Sequence, residues 1–154
     1  MAILRTHEDV RDHLNVSDTL YRYCSTVDRK DYPGLRSVFT DDARMRFSMN
    51  GNWGDWVEGA DGIIAWVDKM TADRGAQHHL LSVYHVDIDD DKASVLAYLT
   101  SHQTAADDPN QVLQMCSRYR DELRRAGDGW LISQIQLEVC WAEVRTFDQQ
   151  SLAV

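Results

Sequence analysis

A chain of 154 residues, 44% hydrophobic and 27% charged, can bury one ordinary core but not two, so residues 1–154 read as a single domain. The net charge of −9 argues against a nucleic-acid partner or an anionic membrane surface, since both need a basic footprint. No apolar run approaches the roughly 20 residues of a membrane helix, and MAILRTHEDV lacks the apolar segment of a signal peptide.

Thr6 caps a helix with Glu8 and Asp9 in its first turn, and the helix runs to about Arg29. A break near Asn15-Val16-Ser17 is an alternative. The apolar stripe reads Val10, Leu14, Leu20, Tyr21, Cys24 and Val27. Steps of three and four (Leu14, Ser17, Tyr21, Cys24, Asp28) carry that stripe onto Asp28. A carboxylate there needs a partner, or its pKa rises. The other reading makes Asp28 the frayed, exposed helix end beside Arg29 and Lys30. Asp31 then caps a short helix with Pro33 in its first turn and Leu35, Val38 and Phe39 on its apolar face. Residues 40–43 read as a turn and 44–49 as a strand. Residues 50–56 are a Gly/Asn loop whose Trp53 and Trp56 either floor a pocket or cap the core. Asp61 opens a third helix facing inward with Ile63, Trp66, Val67 and Met70, ending before Arg74-Gly75.

Residues 75–104 hold four of the six histidines. Tyr84, Val86 and Ile88 alternate with His85 and Asp87, the period of a half-buried strand. Asp89-Asp90-Asp91-Lys92 is a polar turn, and residues 93–99 form the return strand. His78 and His79 therefore start one strand, and His102 ends its antiparallel partner beside His79. After a loop at 105–110, a long strand spans 111–124. On it Tyr119 and Asp121 face either the cavity or the core and rim, with Arg118 and Arg120 on the outer face. A turn at 126–129 leads to a last strand, 130–145, with Leu131, Ile135, Leu137, Val139 and Trp141 inward. The tail, 149–154, reads as loose.

Helices followed by long antiparallel strands imply an α+β fold, a strongly curved sheet wrapped on N-terminal helices. The resulting cone suits a small apolar ligand. The histidines also raise a metal site, but adjacent His78 and His79 point to opposite faces. No His-x-His or His-x-x-x-His pair puts two ligands on one face, so no metal is expected. His85 reads as a surface residue. The three cysteines (Cys24, Cys116, Cys140) have no C-x-x-C spacing and read as reduced core residues of a cytoplasmic protein.

The ordered series VDRKDYPGLRSVFTDDARM, GADGIIAWV, QHHLLSVYHVDIDDDKA, RYRDELRRAGDGWLISQI and CWAEV resembles the SnoaL-like polyketide cyclase and scytalone dehydratase group. These are members of the nuclear transport factor two-like superfamily of cone-shaped α+β barrels, and the resemblance runs from Val10 to Phe147. It implies a cofactor-free lyase, isomerase or cyclase acting on a polycyclic, polyketide-like hydroxy-ketone. In scytalone dehydratase and lindane dehydrochlorinase an aspartate ending the long helix pairs with a histidine starting a strand. Asp28 matches the aspartate. His79 matches the histidine, with His78 as the alternative if the strand bulges. His102 lies within one residue of a second histidine of scytalone dehydratase and would protonate a departing hydroxyl. The aromatic residues Tyr23, Phe47, Trp53, Trp56, Trp66, Tyr119 and Trp141 are the candidate walls of the pocket, and the resemblance implies a homo-oligomer, dimer or trimer. Val27 and Phe47 stand where scytalone dehydratase has two substrate-binding tyrosines, which argues against scytalone itself. A non-catalytic subunit, like the small subunit of ring-hydroxylating dioxygenases, is the alternative function. The chemistry of the pair is independent of the resemblance: a carboxylate on one imidazole nitrogen fixes the tautomer and frees the other as a base.

Overall fold

The computed structural model describes residues 6–148. The readings of the extreme N-terminus and of the 149–154 tail lie outside the described residues. Helix α1 (His7–Asp28) starts from a reciprocal cap. Thr6 Oγ1 accepts from the Asp9 amide at 3.1 Å, and the Asp9 carboxylate accepts from the Thr6 amide at 2.8 Å. The cap satisfies donors that a helix start leaves open.

The helix runs unbroken through Asn15-Val16-Ser17. Its buried face differs from the apolar stripe expected. Val10, Leu14 and Tyr21 are exposed, whereas Asp12, Thr19 and Thr26 are buried with Val16, Leu20, Tyr23, Cys24 and Val27. Each buried polar side chain is paired. Thr19 Oγ1 donates to the Trp130 carbonyl at 3.0 Å and Thr26 Oγ1 to the Arg22 carbonyl at 2.8 Å. The Asp12 carboxylate accepts from both terminal nitrogens of Arg125 at 3.0 and 2.8 Å, and from Trp130 Nε1 at 3.3 Å. A paired polar group can be buried at little net cost, so polarity alone mislocates the face.

Helix α2 (Tyr32–Arg36) is capped by Asp31, whose carboxylate accepts from the Gly34 amide. Leu35, Val38 and Phe39 are buried, but Phe39 already belongs to β1 (Phe39–Met49). Residues 40–43, expected as a turn, continue β1 across a register shift between Phe39 and Arg44. The 50–56 segment, expected as a loop, folds back so that β2 (Asn52–Trp53) and then β3 (Val57–Glu58) pair with β1. Helix α3 (Ala60–Thr71) buries Ile63 and Val67. Strands β4 (Arg74–Asp89), β5 (Lys92–Ala105), β6 (Gln111–Ala126) and β7 (Gly129–Thr146) follow as a meander.

The strands form one sheet in the order β2-β1-β7-β6-β5-β4, with β3 beside β1. Neighbours pair antiparallel except β1 and β7, which are parallel. The sheet is curved and unclosed, and the helices pack on its inner face, the α+β cone that the sequence implies. Leu20, Leu35, Met45, Ile63, Leu123, Trp130, Ile132 and Ile135 fill the space between. Bulges reset the alternation of the long strands. A shift between Val83 and His85 turns Val83, Val86 and Ile88 toward the core. Shifts at Cys116/Ser117 and Glu122/Leu123 put Trp130, Ile132, Ile135 and Val139 inside β7. Leu131 is only half-buried and Trp141 faces out, against the inward placement expected for both. Of the cysteines, only Cys24 is fully buried and Cys140 is exposed, which corrects the all-core reading. Among the described residues no helix is long and apolar enough to cross a membrane.

Asp12 ties α1 to β6, β7 and, through Arg125 Nε on Asp91, to the β4–β5 turn. The hydrogen bonds of Arg125 hold its carboxyl below the ordinary value of 3.8, against the opposing effect of burial. A depressed folded pKa adds stability that is present above 3.8 and lost as pH falls through the folded value. The site lies at the core edge, where solvent screens it. Asp12→Asn is therefore expected to cost about 1–3 kcal/mol at neutral pH and progressively less as pH falls below 3.8 through the folded value, checked by urea melts across that range.

Candidate active site

Asp28 is the last residue of α1. Arg29 caps the helix and Lys30 turns left-handed (φ 52), which stops it. Lys30 Nζ donates to the Arg74 carbonyl at 2.9 Å and Gln77 Nε2 to the Val27 carbonyl at 3.3 Å, pinning this end to the start of β4. The His79 amide then donates to Asp28 Oδ2 at 3.0 Å, and His79 Nδ1–H to Asp28 Oδ1 at 2.5 Å. The His79 and Asp28 side chains are 8% and 19% exposed, so the frayed, solvent-facing reading of Asp28 does not hold. Burial pushes the Asp28 carboxyl up. The ring and amide of His79 outweigh it, and the group sits below the ordinary carboxylate value. With Nδ1 donating to the carboxylate, Nε2 keeps its lone pair.

Strand alternation separates the two adjacent histidines. His79 lines the cavity, whereas His78 is exposed on the outer face. Register pairs His78 with His102, and their rings stack at 6.2 Å and 18°. Directly opposite residues share a face, so His102 also points away from the cavity. Its expected place beside His79 as an acid is thereby corrected, as is His78 as a stand-in. Ser101, buried opposite His79, and Gln103 occupy the inner positions instead.

A cavity of about 210 Å³ opens against His79. Val27, Phe47, Trp66, Leu99 and Leu137 wall it. Tyr23 and Tyr119 close its deep part, 6% and 3% exposed, with rings edge-to-face at 6.0 Å. Burial pushes both phenols up, so they remain protonated donors. Ser117 lines the cavity with its hydroxyl buried and unpaired among the described residues. Met49 and Met70, each nearly half exposed, stand at the rim with Arg74.

Four of the seven expected pocket residues, Tyr23, Phe47, Trp66 and Tyr119, line this cavity. Trp53, Trp56 and Trp141 do not. Trp56 lies under the Arg44 guanidinium at 4.3 Å and Trp53 under that of Arg46 at 4.4 Å, both on the outer side of β1. Trp141 is exposed in a hollow on the outer face with Tyr98 and Arg118. These aromatics are amphipathic enough to sit on arginine stems, which composition does not distinguish from pocket lining. Asp121 belongs to the core. It is 3% exposed, one oxygen has no hydrogen-bond partner, and burial pushes its carboxyl well above the ordinary value.

Sequence reasoning missed Ser117, Met115 and Leu113, which counting back by twos from Tyr119 would have placed inward. It also missed Gln103, in phase with Ser101, and Arg74, for which the helix–strand junction carries no periodic signal. Among the described residues no three His, Cys, Asp or Glu side chains converge as metal ligands.

The fold has known counterparts. A structure from Novosphingobium aromaticivorans, provisionally assigned as a scytalone dehydratase, shares 12% identity at a TM-score of 0.80, covering 94% of each chain. Hexachlorocyclohexane dehydrochlorinase from Novosphingobium barchaimii shares 16% at 0.76, covering 90% of this chain and 92% of that one. An uncharacterised protein of Mycobacterium tuberculosis is 29% identical over 128 residues, 80% of this chain and 82% of its own length. The structural likenesses show a common cone fold. The family model that matches residues 8–136 is the SnoaL-like domain, and the chain belongs to that family.

Proposed function

We propose that the chain is a cofactor-free acid–base enzyme of dehydratase or isomerase type, acting on a small apolar hydroxy-ketone. The observation that carries this reading is the Asp28–His79 pair set against an apolar cavity. His79 Nε2 takes the proton from the carbon beside the carbonyl. Asp28 holds the ring in the tautomer that can do so and stabilises the imidazolium that forms. In an elimination the imidazolium returns that proton to the departing hydroxyl. One C–H and one C–O bond break, a C=C bond forms and water leaves, with His79 neutral again. In an isomerisation the proton goes back to a different carbon. Both versions use one base, which suits a site where His102 faces outward.

The phenol of Tyr23, which accepts from that of Tyr119, would donate to the carbonyl oxygen as charge builds on it. The volume narrows the substrate. A dry cavity of roughly 150 Å³ holds a benzene ring, so about 210 Å³ suits one or two rings rather than the polycycle that the resemblance implies.

A panel of one- and two-ring β-hydroxy-ketones, followed by absorbance of the conjugated product, tests the reading. Asp28→Asn and His79→Ala are each expected to lower kcat/KM by about 10²–10⁴-fold. Wild-type turnover in Asp28→Asn would sink the dyad. His102→Gln and His78→Gln, which alter the outer face only, are expected to change kcat/KM by less than about threefold. A hundredfold loss in His102→Gln would restore it as the acid. Asp28 also adds stability above its ordinary value of 3.8, lost as pH falls through its depressed folded value. Asp28→Asn is accordingly expected to flatten the acid limb of a stability–pH profile.

A further inference from the structure

We propose that the cavity takes an organic acid, with Arg74 holding the substrate's carboxylate at the rim while the apolar body lies against His79. This rests on reading the cavity as the substrate site. The lining includes two basic side chains, Arg74 and His79, and no aspartate or glutamate. Asp28 stands behind His79, with both oxygens already accepting from that residue. An apolar pocket with a cation at its rim and no carboxylate in its lining is complementary to an anion.

Arg74 is held for such a role. Its backbone opens β4 opposite Ala105, and its carbonyl accepts from Lys30 Nζ, so the side chain leaves from an anchored point. The side chain is 26% exposed. Its Nε is buried without a hydrogen-bond partner. The one carboxylate within ion-pair reach among the described residues is Asp73, whose Oδ1 lies 3.4 Å from that same Nε without hydrogen-bonding it, on a 75% exposed side chain. An unmade hydrogen bond from a buried guanidinium N–H is costly, and a carboxylate can take Nε and a terminal nitrogen together. Arg74 and His79 lie five residues apart on β4, with a register shift between Arg74 and Gln77, and both side chains line the same cavity. The net charge of −9 repels anions at long range. A local guanidinium inside the rim is thus the feature that would select an acid over its neutral analogue.

The test is an equilibrium titration with 2-naphthoate and its uncharged counterpart 2-naphthamide, read by calorimetry. Wild type is expected to bind naphthoate about tenfold more tightly at low salt, with the gap narrowing as salt rises. Arg74→Gln should abolish the preference and leave naphthamide affinity unchanged, Arg74→Lys should keep part of it, and Arg74→Met replaces the glutamine variant if that fails to fold. Equal affinities in wild type, a preference that survives in Arg74→Gln or Arg74→Met, or no binding of either compound overturns the proposal. No turnover is read, so the outcome is separate from that of the Asp28 and His79 variants. A charge preference beside an inactive dyad, or an active dyad without the preference, tells the two readings apart.

Discussion

The Asp28 carboxylate accepts two hydrogen bonds from one residue 51 positions away, the ring and the amide of His79. Much of the cavity's geometry depends on that double contact. A helix advances about 100° per residue, so the carboxylate meets β4 only if α1 stops in the right phase. Lys30 supplies the stop, and its ammonium then fastens the same turn to the Arg74 carbonyl. The amide bond fixes where β4 begins relative to the helix, and the ring bond fixes which way the imidazole faces. A ring already immobilised loses little further freedom when a substrate binds, and its lone pair is aimed beforehand.

The second constraint is the two-residue period of the sheet. His78 and His79 are chemically identical and adjacent, yet one stacks on His102 outside while the other lines the cavity. A one-residue slip of β4 would exchange them and remove the imidazole from Asp28. The β4–β5 pairing resists such a slip because inner positions such as Leu81, Val83, Val86 and Leu99 pack on the core or cavity, while Leu80, Ser82 and His85 stay outside. Bulges permit the same strands to curve without losing that sorting. The shift between Val83 and His85 changes the phase beyond His79, so the inward set reads Val83, Val86 and Ile88.

These two constraints explain what was legible in the residues. The spacing of α1 left Asp28 open between two readings, and counting back by twos from Val86 reaches His78; the resemblance singled out Asp28 and His79, and the shift between Val83 and His85 is what turns His79 inward. The order of helices and strands was readable because each long element carries its own hydrophobic period. The inner face of α1 was not, because Asp12 and Thr19 are buried through partners on β6 and β7, more than a hundred residues away, and Thr26 through carbonyls of α1 itself. His102 was misplaced although β5's own period reports its face: Ala93, Val95, Ala97, Leu99, Ser101 and Gln103 point inward in steps of two, which leaves His102 outward. Trp53, Trp56 and Trp141 looked like pocket walls by residue type, but arginine stems and the outer face received them. Arg74 sits at a junction where no period applies.

The deep part of the cavity is kept neutral, and this bears on how one histidine could serve both directions of a proton transfer. Burial holds the phenols of Tyr23 and Tyr119 protonated and pushes the Asp121 carboxyl well above its ordinary range. Asp28 is stabilised as an anion by the hydrogen bonds of His79 itself. A proton taken by His79 therefore has a counter-ion on one side of the ring and no ionised carboxylate in the cavity lining to capture it. The apolar wall of Phe47, Trp66 and Leu137 limits its loss to water. In the proposed reaction the proton would be retained beside the carbon it left, where returning it to a neighbouring oxygen or carbon is the shortest path open to it.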